Sequence, residues 1–455
     1  MKNFRIYKLL VFLIILVISS CGSDDEVIYV SPSGTQLVQA SFTYSISATD
    51  PNVILLNNTT QGSGEFKSEW NFGTGDELVL DQPGLEELRL NGAGSYTIKL
   101  YVTNAAGFTE ASETVRVDED GVCPSNICGG IDPSSLKGAA VGFSVGTIVR
   151  DNRLTGMHDE VIRRDFNNIT SEYQMKMDVM YPSQGTYDFG PADAIVDYGV
   201  ANGIDVHGHA LIWHNSTPDW VENFAGTDAE FEDMIRDYIR TVLERYKGKV
   251  RSWDVVNEAI ADGSNELRFD DSVFRRRMGA DYIEKCFQMA RDVDPDVLLF
   301  YNDYNMASDS GKRAAMFAIA DRLKALNLID GIGAQLHISY NGPARSEIQA
   351  VVDGTVSRNL LMHFAELDIR TNPEENSSVT ALSSERALLQ KDKYKELAEI
   401  YTDIPTANKF AFTVWGLKDN ESWLLDFWGV PDFPLLFDSN FDPKPAYQGV
   451  IEGFQ

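Results

Sequence analysis

The chain has 455 residues, 43% of them hydrophobic, which is enough for a large core and for more than one domain. Its formal charge of −29 excludes nucleic acid and anionic membrane surfaces as partners of the folded body. What remains is a protein suited to neutral or weakly charged ligands.

Residues 1–20 combine Lys2, Arg5 and Lys8 with an apolar run from Leu9 to Ile18 and small residues before Cys21. This is the pattern of a secretory signal, and the run is too short for a comfortable transmembrane helix. Ile18-Ser19-Ser20-Cys21 resembles a bacterial lipobox, which implies an exported lipoprotein held to the membrane by a lipid on Cys21. Gly22-Ser23-Asp24-Asp25-Glu26 resembles the acidic signal that sends lipoproteins to the outer membrane, facing the surface of Gram-negative cells. Residues 21–37 read as a tether. Short alternating runs with Gly, Asn and Asp turns follow over 38–118, among them 40–44, 53–56 and 96–102. They predict a small all-β sandwich. Glu69 to Gly75 and Gly94 to Gly107 resemble the polycystic-kidney-disease-type repeat, an immunoglobulin-like module, which implies a spacer. Residues 119–138 form a Gly/Pro/Ser-rich linker, in which Cys123 and Cys128 suit a small disulfide loop in an exported protein. Cys286 falls on the apolar face of a predicted helix and reads as a core thiol.

From 139 the period changes. Candidate strands at 139–146, 174–180, 204–212, 250–257, 297–303, 331–337, 360–368 and 409–416 alternate with helical patterns. These run over 158–166, 191–202, 228–248, 274–293, 312–326, 346–356, 384–402 and 445–453. Eight such units over 139–455 predict a (β/α)8 TIM barrel. An open doubly wound sheet would call for a Gly-rich phosphate loop after an early strand, and none is present.

Such a barrel gathers its chemistry at the C-terminal ends of its strands. Glu172 and Lys176 flank the second candidate strand, and His207, His209, Trp213 and His214 the third. Asn257 and Glu258 close the fourth, and Asn302, Asp303, Tyr304 and Asn305 the fifth. Gln335 and His337 close the sixth, His363, Glu366 and Asp368 the seventh, and Trp415 the eighth, with Trp423 beyond it. Two glutamates on separate strands suit glycoside hydrolysis, in which one carboxyl protonates the leaving oxygen and the other attacks or activates water. His207-x-His209-x₄-His214 has metal-like spacing, but no neighbouring carboxylate in sequence completes a hydrolytic zinc site. Neither a metal nor an organic cofactor is expected.

Gly208 to His214, Trp253 to Ala259, Tyr301 to Asn305, Gly331 to His337, Ala365 to Ile369, Thr413 to Gly416 and Asp442 to Tyr447 together resemble glycoside hydrolase family 10. That is the family of retaining endo-β-1,4-xylanases, and the stretches stand in its order. The resemblance implies Glu258 as acid/base, Glu366 as nucleophile, Asn257 on the sugar 2-hydroxyl, and His337 on the nucleophile with Asp368 orienting it and Gln335 nearby. It implies Glu172, Lys176, His209, Trp213, Trp415 and Trp423 on the glycone side and Tyr304 on the leaving-group side. Xylan or xylo-oligosaccharides would be the substrate of a tethered monomer. A β-glucanase on the same barrel and a catalytically silent xylan-binding lipoprotein are the alternatives. Two positions depart from the family pattern: Tyr173 stands where Asn is usual and Leu424 where Arg is usual, both on the glycone side.

Overall fold

The computed structural model describes residues 134–455 without a break and, before them, most of 38–118 together with Gly121–Val122. Cys21, Cys123 and Cys128 lie outside the described residues, and with them the expected signal, tether, lipidation and disulfide. Two compact units divide between Gly130 and Ile131, inside the expected linker.

In the first unit, alternation of buried and exposed side chains builds antiparallel strands. Phe42–Ile46, Val53–Asn58 and Leu85–Arg89 form one sheet, and Glu77–Leu80, Lys67–Asn71, Gly94–Asn104, Gly107–Asp118 and Gly121–Val122 form another. Both contribute to one core around Trp70, where Phe42 meets the indole edge-on at 5.0 Å between ring centroids.

The second unit is a closed barrel of eight parallel strands. They are β1 (Ser144–Val149), β2 (Asn168–Ser171), β3 (Asp205–Gly208), β4 (Ser252–Asn257), β5 (Leu298–Tyr304), β6 (Gly331–Ser339), β7 (Leu361–Arg370) and β8 (Lys409–Val414). Neighbours pair in chain order except that β8 pairs with β1, and His207↔Ser252 joins β3 to β4 in parallel register. Every residue of β1, β2 and β4 is buried, as strands covered on both faces must be. Near the bottom of the lumen Phe300, Phe410 and Ala411 pack as a small cluster of their own.

The expected strands from the third to the eighth agree closely with the observed ones, and the first two do not. The run 174–180 alternates like a half-buried strand, yet it is loop followed by a short helix, Met177–Met180. The strand lies earlier, at Asn168-Ile169-Thr170-Ser171, where polar side chains point into the barrel and hide the apolar signature. The expected first strand likewise starts too early, because Leu136–Ala139 is a helix capped by Ser135. The expected helix 274–293 is two helices, Val273–Met278 and Tyr282–Val293, broken at Gly279 with its φ of 92°. Cys286 is buried on the second, as expected.

Candidate active site

Glu258 follows the last residue of β4. The register of β4 against β5 shifts between Asp254 and Val256, and Glu258 then takes a left-handed turn at φ 56°. That conformation is costly for a side-chain-bearing residue, and it is held from several directions. Glu258 N donates to Asn302 O at 2.9 Å, Arg268 Nε donates to Glu258 O at 2.9 Å, and Ala259 N donates to the Tyr301 hydroxyl at 3.2 Å. The carboxyl is aimed into the cleft as a result. Trp213 Nε1 donates to its Oε2 at 2.8 Å, and Gln335 Nε2 donates to its Oε1 at 3.0 Å. Burial, followed by the negative charges of Asp303 and Glu366, outweighs those donors and raises the Glu258 pKa above the usual range.

Glu366 sits on β7, where the strand slips in register against both neighbours. Asn302 Nδ2 donates to its Oε1 at 2.7 Å and His337 Nε2 approaches its Oε2 at 3.1 Å. Burial alone would raise this carboxyl, but His337, His209 and Asn302 overcome it and lower the pKa. Two glutamates in one cleft are thus pushed in opposite directions.

The supports behind them are ordered as well. His337 Nδ1 lies 2.8 Å from Asp368 Oδ2, and Trp423 Nε1 donates to that same oxygen at 3.0 Å. Burial pulls the His337 pKa down, but Asp368 and Glu366 prevail and raise it to about 10. His337 is therefore an imidazolium at neutral pH, donating from both nitrogens. At the end of β3, His207 Nε2 lies 3.0 Å, and His209 Nδ1 one residue past the strand lies 2.8 Å, from one oxygen of Asp254 on β4. Despite complete burial, this pairing holds the Asp254 pKa well below the carboxylate range.

The barrel brings Glu172, Lys176, His209, Trp213, Glu258, Tyr304, Gln335, His337, Glu366, Trp415 and Trp423 to the wall of one cleft of about 1210 Å³. Asn257 and Asp368 stand just behind it, touching Gln335 and His337. Lys176 Nζ lies 4.5 Å from the Trp213 ring centroid and 5.1 Å from that of Tyr173. Tyr304 is braced by its hydroxyl, which donates to Asp262 at 2.5 Å and accepts from Arg268 at 2.6 Å. Tyr173 is about half exposed on the same wall, whereas Leu424 is buried against it.

Three of the histidines noted along the strands, His207, His214 and His363, do not line the cleft. His363 lies three residues before Glu366, buried in the lumen with Nε2 2.8 Å from Thr413 Oγ1 and its ring against His207 and Phe410. His214 turns away from His207 and His209 toward Arg268, and burial together with Arg268 lowers its pKa to about 4. Asp254, from the neighbouring strand, is the partner of His207 and His209. Among the described residues no group of three or more His, Cys, Asp or Glu side chains is arranged to hold a metal.

Sequence reasoning gave Asn302 no contact with Glu366 and passed over Asp254 and Arg150. Arg150, just past β1, grips both oxygens of Glu172 through Nε at 2.5 Å and Nη2 at 2.6 Å. Asp254 carried a signal, being an acid in the middle of an otherwise apolar strand. Arg150 carried none, since it reads as an ordinary strand-end cation.

A family model described as Glycosyl hydrolase family 10 matches residues 135–453. The chain is 35% identical over 328 residues to endo-1,4-beta-xylanase B of Paenibacillus barcinonensis, covering 70% of this chain and 98% of that protein. It is 38% identical over 326 residues to a beta-1,4-xylanase of Dictyoglomus thermophilum, covering 68% and 88%. The fold is similar to a solved GH10 structure from Paenibacillus barcinonensis, with a TM-score of 0.67 at 32% identity over 70% of this chain and 97% of that one.

Proposed function

This chain belongs to glycosyl hydrolase family 10, and from that membership and its paired carboxyls we propose that it is a retaining endo-1,4-β-xylanase. The observation that carries the reading is the meeting of Glu258 and Glu366 on the wall of one cleft, each carboxyl held by its own set of donors. Glu366, ionised, attacks the anomeric carbon while Glu258 gives its proton to the departing glycosidic oxygen; the C–O bond breaks and a glycosyl ester forms on Glu366. The negative charge on Glu366 is then gone, so the Glu258 pKa falls and Glu258 takes a proton from water as that water cleaves the ester. Glu258 is restored as the acid, and the sugar leaves with its configuration retained. His337 and Asn302 hold Glu366 for attack, Asp368 and Trp423 hold His337, and Gln335 and Trp213 hold Glu258. Asn257 takes the 2-hydroxyl of the reacting sugar. Glu172, Lys176, His209, Trp415 and Trp423 take the glycone, and Tyr304 the leaving group.

The test is product analysis on xylan, with early-time NMR of the anomeric proton, for the wild type and Glu366→Ala. Xylo-oligosaccharides released first as the β anomer, with a loss of at least about 10⁴-fold in the variant, are the expected result. Release from carboxymethyl-cellulose in place of xylan would overturn the substrate. Intact xylan binding without any release would overturn catalysis.

Around the barrel, the proposal extends to an exported monomer anchored through lipid on Cys21 at the outer membrane. The unit over 38–118 is proposed as an immunoglobulin-like spacer, on the strength of its antiparallel strands and Trp70 core.

A further inference from the structure

Beyond Trp423, the loop after β8 carries a short helix, Leu424–Trp428, closed by Gly429 in the left-handed conformation. This turn places Phe427 and Trp428 on the cleft wall with 63% and 38% of their surfaces exposed. Two large aromatic side chains in water forgo the transfer free energy that burial would give, and an exposed apolar patch on a cleft wall marks a binding surface.

The rings are held rather than loose. The Arg370 guanidinium stacks 4.2 Å from the Trp428 ring centroid. Arg370 is itself fixed, with Nη2 donating to Asn372 O at 3.0 Å and Nε to Asp432 Oδ2 at 3.2 Å. Asp432 is buried and also accepts the backbone N–H groups of Thr371, Asn372 and Phe433. Phe427 bridges the row, 5.0 Å from Trp423 and 5.1 Å from Trp428 between centroids. Trp423 in turn donates to Asp368, which holds His337. A continuous row of rings therefore runs from the support of the nucleophile outward to the cleft rim. Its outer members face solvent, and a cation fixes the last of them.

The structure assigns Phe427 and Trp428 as a sugar-stacking subsite outside the reacting pair, for a further ring of the polysaccharide substrate. The apolar C–H face of a pyranose or furanose lies flat on an aromatic face, and a platform fixed beforehand binds it at little cost in side-chain entropy. This rests on the xylanase reading and deepens it. The occupant is either a main-chain sugar or a branch sugar, and both offer the same face.

Phe427→Ala, Trp428→Ala and the conservative Trp428→Phe, each in the full chain, test it. kcat/KM is compared with wild type on a short aryl xyloside, on linear xylo-oligosaccharides of increasing length, and on branched ones. The expected result is unchanged turnover of the short substrate and a fall of about threefold to tenfold on the longest linear ones, with Trp428→Phe restoring most of it. A fall confined to branched substrates supports the subsite and makes its occupant the branch. Equal loss on short and long substrates would overturn it, because the row would then merely prop the reacting centre. No loss on any substrate, with the wild type active, overturns it and leaves the xylanase reading standing. An inactive wild type overturns both. Phe427 is mostly in water, so its truncation keeps the experiment decisive even if Trp428→Ala unsettles Arg370.

Discussion

Glu258 and Glu366 have the same side chain, and only their neighbours push one pKa up and the other down. His337 supplies the decisive cation, which gives a prediction with a sign. His337→Gln keeps a donor near Glu366 but removes the charge, so the Glu366 pKa rises and the acid limb of kcat/KM moves to higher pH. The alkaline limb, set by Glu258, moves little. Stability follows a second pH dependence. His337 has a folded pKa of about 10 against about 6.5 when unfolded, so its contribution is complete below about pH 6.5 and is lost as pH rises toward 10. The Tm gap between wild type and His337→Gln is therefore widest at pH 6 and closes toward pH 10. An unmoved acid limb would mean that His337 is neutral beside Glu366.

The strands show what a sequence can and cannot reveal about elements. Runs such as Trp253-Asp254-Val255-Val256 and Phe364-Ala365-Glu366-Leu367 announce themselves because an apolar stretch delivers a carboxylate at its tip. The second strand does not, because Asn168 and Thr170 face the lumen and alternation mimics a strand a few residues later. His363 and Glu366 look equivalent in the chain, but they occupy different layers of the barrel, and only the register separates them. Phe427 and Trp428 carry no motif that sets them apart in the chain, and their place on the cleft wall is visible only in the fold.

The same layering predicts how glycines behave. A Cβ at Gly331, the first residue of β6, would meet the Phe300 ring at 2.2 Å, and one at Gly208, at the end of β3, would meet the Trp253 ring at 2.2 Å. Overpacking of either kind costs about 3 kcal/mol and lowers Tm by several degrees. Gly331→Ala lies at the bottom of the barrel and should leave kcat near wild type at low temperature. Gly208→Ala adjoins His209 and should lose both. Equal kcat in the two variants would contradict the separation of the stabilising and catalytic faces.

At the scale of the whole molecule, the barrel owns a core separate from that of the first unit. A chain beginning at Ile131 should hydrolyse soluble xylo-oligosaccharides with kcat within about twofold of the full protein, since the described residues that line the cleft all belong to the barrel. Cys21→Ala should move the full chain from the membrane to the soluble fraction on cell fractionation while its activity persists; continued membrane association would refute the anchor. Of the seven tryptophans, Trp213, Trp415, Trp423 and Trp428 line the cleft, Trp220 lies outside it with its Nε1 donating to Tyr181 O, and Trp70 and Trp253 are sealed in cores. Most of the indole fluorescence that substrate can reach thus comes from the substrate path itself, over a background that binding leaves alone. The emission of the unlabelled protein becomes a direct gauge of how much of the cleft is filled.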